Sequence, residues 1–287
     1  MVRKNAFDYA NSALMLLFCC SIIVPFLFVV SQSLMSNEDV LKHGVTLIPK
    51  HITFYAYKYL LVDNTFLYRA FANSVFVTTV GTGLCLLVTG GMAYALSKKY
   101  LPYRHAITLF VMATMFFSGG LIPSYLLVVG LGLKNSLWAL MVPSFLSVWN
   151  MFLLRNFFME LPREVEESAY LDGANDVTIL GRIAIPMSLP ALATIGLFYA
   201  VGFWNSWVPA SIYLNDPDKW PLQMLVKTLL TSFDPSQGGG SQDLLMVLSK
   251  DSVRSAAIIL TTLPIMLVYP FLQKYFVKGI TVGSIKG

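Results

Sequence analysis

Charged side chains that could bind another molecule are concentrated in one segment, residues 155–182. Nine charged residues fall within these 28 positions, although only 12% of the 287-residue chain is charged. They are Arg155, Glu160, Arg163, Glu164, Glu166, Glu167, Asp172, Asp176 and Arg182. A segment of this kind could dock onto another protein. A solvated connector between two apolar runs would contain the same residue types, so the residues alone leave both readings open.

The other reactive residue types predict no catalytic, cofactor-binding or metal-binding site in this chain. The histidines, His43, His51 and His105, are scattered and have no cysteine or carboxylate at metal-ligand spacing. The sequence contains no Gly-Lys dipeptide, which excludes a P-loop for ATP. The predicted membrane spans also lack the ionisable residues that ion-coupled carriers use as relays. If the chain moves a solute, the energy must therefore enter from outside the bilayer.

The apolar composition points to lipid as the solvent. Hydrophobic residues make up 56% of the chain, and its charged fraction is half of the about 25% that is usual in soluble domains. A helix needs roughly 20 apolar residues to cross about 30 Å of hydrocarbon. Six runs meet this requirement, at about 12–34, 70–97, 106–133, 135–154, 189–213 and 255–273. We therefore predict an all-α membrane protein, with six transmembrane helices in a single domain, residues 1–287.

Basic residues in the loops predict the orientation of these helices. Six spans place both termini on the same side, and the positive-inside rule favours the cytoplasm for the side richer in lysine and arginine. With both termini inside, 11 basic residues face the cytoplasm and 9 face outward. The predicted outer loops are 35–69 and 214–254. The charged segment then belongs to a cytoplasmic loop, 155–186. The net charge of +5 is too small to argue for binding to nucleic acid.

Local signals within the cytoplasmic loop predict two short helices joined by a turn. Leu161-Pro162 is typical of a helix start, since proline at the first turn loses no hydrogen bond. Gly173 is placed to end this helix in the left-handed conformation. Either Asn175 or Asp176 could cap a second helix, which Pro186 would bend or end. We call the predicted helix–turn–helix unit between Leu161 and Pro186 the knuckle; it has one acidic and one apolar edge.

The knuckle resembles the EAA loop of ABC importer permeases. The residues that match are Glu167-Ser-Ala-Tyr-Leu-Asp-Gly173, followed by Ile183-Ala-Ile-Pro186. In that family the pattern is Glu-Ala-Ala, a glycine three residues on, and then Ile-x-Leu-Pro after about nine more. This sequence departs from the pattern at two positions, with Ser168 in place of alanine and Ile185 in place of leucine.

Further motifs extend the resemblance over about residues 10–287 and resemble the carbohydrate-uptake branch of these permeases. They are Asn73-Ser74, Gly120-Leu-Ile-Pro-Ser-Tyr125, Asn135-Ser-Leu-Trp-Ala139, Phe203-Trp-Asn-Ser-Trp207, Pro221-Leu-Gln223 and Lys278-Gly-Ile-Thr-Val-Gly-Ser-Ile-Lys-Gly287. Residues 117–150 and the sequence Asp172-Gly-Ala-Asn-Asp176 are similar to sequences of the complex-oligosaccharide subgroup common in Gram-positive bacteria.

This resemblance implies a type I ABC importer permease fold with a cytoplasmic coupling helix, in a bacterial cytoplasmic membrane. It implies three kinds of protein partner: a second homologous permease that forms a heterodimer, two ABC ATPase subunits that hold ATP and Mg, and an extracytoplasmic sugar-binding lipoprotein. The chain itself would be a transport subunit and no enzyme. The residues expected to dock on the ATPase are Glu164, Glu167, Ser168, Ala169, Tyr170, Leu171, Asp172, Gly173 and Ala174.

A carbohydrate substrate would contact aromatic and amide side chains within the spans, since these residue types hold sugars in apolar channels. The expected substrate path contains Asn150, Tyr199, Trp204, Asn205 and Trp207. Tryptophan and tyrosine also mark membrane interfaces and fill packed bundles, which is the other explanation for these residues. Two alternatives to a carbohydrate permease stay open: a permease of the same fold for another solute such as amino acids, and a membrane scaffold that transports nothing.

Overall fold

The computed structural model describes residues 6–36, 39–40, 42, 44–63, 65–232 and 250–284. Much of the predicted outer loop 214–254 (residues 233–249) and both extreme ends of the chain lie outside these residues. All regular secondary structure in the described part of the chain is helical, as the sequence predicts.

The described helices follow one another along the chain as fourteen α-helical elements within these residues. They are α1 (Ala6–Ser33), α2 (Tyr55–Lys58), α3 (Thr65–Ser97), α4 (Arg104–Phe116), α5 (Leu121–Gly130), α6 (Trp138–Met141), α7 (Val148–Met159), α8 (Arg163–Leu171), α9 (Asp176–Ile179), α10 (Ile185–Met187), α11 (Leu189–Trp204), α12 (Trp207–Tyr213), α13 (Leu222–Ser232) and α14 (Lys250–Ser284). Short π-helical turns follow α2 (Tyr59–Asp63) and α9 (Leu180–Ala184), and 3-10 turns cover Val142–Ser144 and Pro217–Lys219.

Among the described residues, three helices are long and apolar enough to cross a membrane unaided. Their spanning stretches are Phe7–Ser33, Thr65–Ser97 and Asp251–Val268. Three pairs of shorter helices would raise the number to six if each bent pair forms one span. These six stretches overlap the six runs predicted from the sequence. Length and composition alone define them, and the number of membrane crossings stays a prediction.

The helix predicted over residues 106–133 is not continuous. Helix α4 ends at Phe116, α5 begins at Leu121, and the two axes differ by 115°. Gly120 has a φ of +86°, which is open to glycine because it lacks a Cβ. The glycine pair Gly119–Gly120 therefore allows the chain to reverse, and Pro123 sits in the first turn of α5, where proline is tolerated.

Two further predicted spans are also broken or displaced. The segment Trp138–Ser144 meets α7 at 53°, and the Ser147 side chain caps α7 by accepting a hydrogen bond from the Asn150 N–H. The segment Asp176–Met187 meets α11 at 86°. Helix α11 ends at Trp204, nine residues before the end of the predicted span 189–213, and α12 begins after a turn. Pro143 and the Ser147 cap account for the first break, because each favours a new helix start within an apolar run.

The described residues form two compact units. One unit contains the residues up to Tyr68 and those from Val226 to Pro264; the other contains Arg69–Leu225 and the residues from Ile265 onward. Within the first unit, the Ser252 hydroxyl donates to the backbone carbonyl of Met35 at 2.7 Å, and the Ser255 hydroxyl donates to the Gln32 side chain at 3.0 Å. The prediction of a single domain stays a prediction.

The second unit has a hydrophobic core to which α3, α7 and α11 contribute. Fully buried members include Val77, Cys85, Met151, Leu154 and Ile195. Helices α3 and α11 approach closely at Gly81, where an added Cβ would lie 2.8 Å from the Phe203 ring. This core holds together the elements that carry the candidate site.

Candidate functional site

Helix α8 begins and ends at the residues that the sequence predicts. It follows Pro162, carries Glu164 and Glu166 in its first turn, and stops before Gly173, whose φ is +80°. The Gly173 N–H donates to the Tyr170 carbonyl at 3.0 Å, and the Ala174 N–H donates to the Ala169 carbonyl at 2.9 Å. This pair of bonds is the Schellman arrangement, which satisfies the last carbonyls of a helix.

Asn175, one of the two candidates, caps the second helix of the knuckle. Its side-chain oxygen accepts hydrogen bonds from the Thr178 N–H at 2.9 Å and the Thr178 hydroxyl at 2.8 Å. The other candidate, Asp176, is the first residue of α9, and its carboxylate accepts hydrogen bonds from two tyrosine hydroxyls instead. Pro186 lies in α10, directly before the 86° bend into α11.

The knuckle presents most of the predicted docking residues to the outside. Ala169 and Ala174 are half-buried, and the other seven are exposed. Leu171 is 89% exposed and Val177 is 78% exposed, so these two aliphatic side chains have little apolar cover among the described residues. A shallow groove of about 460 Å³ runs beside them and is lined by Glu164, Val165, Ser168, Ala169, Asp172 and Ile183. The surface thus combines carboxylates with unpaired apolar side chains.

The opposite side of α8 contacts the segment that follows α3. Lys98 is 8% exposed and pairs with the Glu166 carboxylate. The Tyr100 and Tyr170 hydroxyls lie 2.9 Å apart, and both donate to the Asp176 carboxylate. None of these partners is adjacent in sequence, and the chain alone contains no signal that pairs residues 98–100 with α8.

The contacts between the two tyrosine hydroxyls and the Asp176 carboxylate favour protonated tyrosines and an ionised aspartate. Burial, reinforced by the hydrogen bond to Asp176, raises the pKa of both Tyr100 and Tyr170 above the ordinary tyrosine value. The hydrogen bonds from Tyr100 and Tyr170 lower the pKa of Asp176 below its ordinary value. At neutral pH the two tyrosines therefore stay protonated donors and Asp176 stays an ionised acceptor.

Three of the five predicted substrate-path residues line one cavity. Asn150, Tyr199 and Asn205 face a space of about 470 Å³, together with Ser144, Ser147 and Ser206. The Ser206 hydroxyl is buried and finds no hydrogen-bond partner among the described residues. Phe198 and Phe203 add aromatic surface. The cavity therefore offers the hydroxyl, amide and aromatic groups that suit a sugar.

The two tryptophans lie elsewhere. Trp204 is 7% exposed and packs edge-on against Phe71, with ring centroids 6.2 Å apart. Trp207 is 41% exposed and is not among the residues that line the cavity. Their positions fit the alternative explanation, that tryptophan in a span fills the bundle or marks an interface.

The Tyr199 hydroxyl is occupied by the protein itself. It accepts a hydrogen bond from the Ser147 N–H at 2.9 Å and shares another with the Thr89 hydroxyl at 2.7 Å. It therefore ties α11 to α3 and to the start of α7. The ring of Tyr199 contributes aromatic surface to the lining of the cavity.

Several motifs that are distant in sequence meet around residues 215–222. Asn135, with a φ of +57°, accepts hydrogen bonds through its side-chain oxygen from the N–H groups of Asn215 and Asp216. The Asn73 amide donates to the Asp218 and Trp220 carbonyls, at 2.9 and 3.2 Å. The Ser74 hydroxyl accepts from the Leu222 N–H, and Arg69 forms an ion pair with Asp218. Three of the motifs that the sequence singles out therefore build one ordered segment.

Comparison with known proteins agrees with this architecture. Residues 3–282 match the family described as "Binding-protein-dependent transport system inner membrane component". The chain is 42% identical over 267 residues to the protein LplC of Bacillus subtilis (strain 168), covering 92% of this chain and 90% of LplC. It is 39% identical to the polygalacturonan/rhamnogalacturonan transport system permease protein YtcP of the same organism, over the full length of both chains.

A solved structure supports the same assignment. It is a crystal structure of a bacterial ABC transporter involved in the import of the acidic polysaccharide alginate. One of its chains superposes with a TM-score of 0.88 at 30% identity, covering 96% of this chain and 100% of that one. The fold is therefore that of a type I permease, and the chain belongs to the family of inner membrane components of binding-protein-dependent transport systems.

Proposed function

We propose that this chain is the transmembrane permease subunit of an ATP-driven ABC importer for carbohydrates, most simply an oligosaccharide. One observation carries the proposal: the superposition over 96% of the chain on a subunit of a polysaccharide importer. The similarity to YtcP, a permease named for polygalacturonan and rhamnogalacturonan, points to the same substrate class. The substrate would pass from an extracytoplasmic binding lipoprotein into the cytoplasm by alternating access.

The partners follow from the family and from the chemistry of the chain. The sequence offers no P-loop, so two ABC ATPase subunits would hold ATP and Mg and supply the energy. A second, homologous permease would complete the pathway as a heterodimer. In this proposal the chain crosses the bacterial cytoplasmic membrane six times. The three long helices cross once each, the bent pairs Arg104–Phe116 with Leu121–Gly130 and Trp138–Ser144 with Val148–Met159 form one span each, and the remaining span begins with α11 at Leu189, after the knuckle. Both termini then face the cytoplasm.

The exposed side of the knuckle is the proposed ATPase-docking surface, with α8 as the coupling helix. Its carboxylates, Glu164 and Glu167 among them, would meet basic side chains of the ATPase. The exposed aliphatic side chains of Leu171 and Val177 would be covered on docking. A capped helix transmits displacement better than a loose loop does, because its hydrogen bonds resist deformation.

The cavity beside α11 is the proposed sugar-contact region of this chain. Asn150, Asn205 and Ser206 would bond to sugar hydroxyls, while the rings of Tyr199 and Phe198 would stack on apolar sugar faces. The unpaired Ser206 hydroxyl supports this role, because a buried hydroxyl without a partner is costly until a ligand satisfies it.

The function is tested by uptake into proteoliposomes that contain this chain, a second permease, the ATPases and the binding protein. We expect ATP-dependent uptake of a labelled oligosaccharide. Glu167→Lys and Gly173→Pro should abolish it while both variants still insert and purify, since proline cannot adopt the φ of +80° at residue 173. Glu160→Gln, at an exposed residue just before the knuckle, is the matched control.

Three outcomes would contradict the proposal in whole or in part. Uptake of amino acids but not oligosaccharides would indicate a permease of the same fold for a different solute. A reconstituted complex without substrate-stimulated ATP hydrolysis would indicate a membrane scaffold. Normal uptake by both knuckle variants would remove the coupling role from α8.

A further inference from the structure

Helix α8 has little apolar packing against the rest of its compact unit; the half-buried Ala169 is its residue that packs against the hydrophobic core. None of its nine residues is fully buried. A cavity of about 310 Å³ lies beside it, lined in part by Lys98, Phe158, Leu161, Glu166 and Tyr170. With so little buried surface, the orientation of α8 depends on the polar contacts that cross this gap.

The ion pair Lys98–Glu166 is the first of these contacts. The two side chains are only 9% and 16% exposed, so water screens their attraction less than it would at an open surface. The Lys98 ammonium also lies 4.0 Å from the centroid of the Tyr94 ring. This second contact fixes the lysine on the α3 side.

The other polar contact joins three segments at one carboxylate. Asp176 at the start of α9 accepts hydrogen bonds from Tyr170 of α8 and from Tyr100, which follows α3. The separation of Tyr100 from Asp176 is 76 residues along the chain. The knuckle is therefore attached at two points to the same end of α3.

Helix α3 leads from this attachment to the cavity beside α11. Its Thr89 hydroxyl bonds to the Tyr199 hydroxyl at 2.7 Å, and Gly81 lies against Phe203. Thr89 and Ser97 are about 12 Å apart along the helix axis, at about 1.5 Å per residue. A displacement of the end of α3 therefore reaches two side chains that line the cavity.

We propose that the ion pair Lys98–Glu166 and the hydrogen-bonded group Tyr100–Tyr170–Asp176 form a brace between α8 and the cytoplasmic end of α3. The brace makes these two elements move together. Helix α3 then transmits the ATPase-driven movement of α8 to the cavity beside α11. The brace residues are positioning residues, since none of them lines the cavity beside α11. The inference rests on the proposed function and adds to it the route by which docking and substrate passage are connected.

The test measures the mobility of α8 and the coupling of the assembled importer. Variants Glu166→Gln, Lys98→Gln and Tyr100→Phe are compared with Lys99→Gln and Glu160→Gln, which change exposed neighbours. In the reconstituted importer, hydrogen exchange of the α8 amides should quicken by about tenfold in the brace variants, because residues in one ion-pair or hydrogen-bond network stabilise one another. Sugar moved per ATP hydrolysed should fall by a similar factor while ATP hydrolysis persists.

A double charge-reversal variant tests whether the lost coupling can be restored. Lys98→Glu combined with Glu166→Lys should restore most of the coupling that either reversal loses alone. Unchanged exchange of the α8 amides in the brace variants would overturn the brace. Faster exchange with an unchanged ratio of sugar to ATP would overturn its role in coupling. If the wild-type importer itself moves no sugar, the proposed function fails and the inference falls with it.

Discussion

At the scale of single residues, Tyr199 shows how a residue type can be recognised before its role is known. A tyrosine in an apolar span suggests a sugar contact through its hydroxyl. In the structure that hydroxyl bonds to Ser147 and Thr89, so it serves the protein instead. Two of the three hydrogen bonds that a phenol hydroxyl can make are thus formed within the protein. Asn150 and Ser206 carry more of the polar character of the cavity.

The Tyr199 contacts predict a loss of stability in Tyr199→Phe. Without the hydroxyl, the Ser147 N–H loses its acceptor, and leaving a buried polar group unpaired costs about 1–3 kcal/mol. We expect a lower Tm for the purified protein in detergent. Tyr103→Phe, at a tyrosine that is 84% exposed, should leave the Tm unchanged. An unchanged Tm together with lost uptake would show instead that the hydroxyl binds the sugar.

At the scale of elements, the glycines of α3 differ in what they do. Four glycines in this span, Gly81, Gly83, Gly90 and Gly91, have the small size that lets helices approach in lipid. In the structure only Gly81 among them touches a neighbouring helix closely enough that a Cβ would clash. An added Cβ at the other three would meet open space within the described residues.

This difference predicts opposite outcomes for two similar substitutions. Gly81→Ala would place a Cβ 2.8 Å from the buried Phe203 ring, and overpacking of this kind costs about 1–3 kcal/mol. Gly83→Ala should be nearly neutral. Thermal unfolding of both variants in detergent measures the difference. Adding Phe203→Leu to Gly81→Ala should recover part of the loss, and a lack of recovery would locate the strain elsewhere.

At the scale of the whole molecule, the orientation in the membrane is the largest feature open to a direct test. We expect a membrane-impermeant maleimide to label Asn215→Cys on intact cells. Glu160→Cys, at an exposed residue just before the knuckle, should react only after the cells are permeabilised. Asn215 is exposed as well. The background must lack Cys19 and Cys20, which are exposed on α1. The reverse labelling pattern would invert the proposed topology.

The sequence by itself determined the features that depend on near neighbours along the chain. The start of α8 after Pro162 and its end at Gly173 involve groups within about five residues of one another, and the cap of α9 is narrowed to Asn175 or Asp176, of which the structure shows Asn175. Helix caps are local, so a local pattern predicts them. Apolar run length likewise located the stretches that could span a membrane. The same runs did not predict the 115° bend between α4 and α5, because an apolar run has the same composition whether the helix within it is straight or broken.

Only the tertiary structure decided the contacts between distant residues. Lys98 and Glu166 are 68 positions apart, Thr89 and Tyr199 are 110 apart, and Ser74 and Leu222 are 148 apart. One chain contains many lysines, carboxylates and hydroxyls that could pair equally well by type. Which of them meet depends on how the helices pack, since packing brings the groups within hydrogen-bond distance. The sequence thus identified the knuckle, and packing determined the brace that holds it.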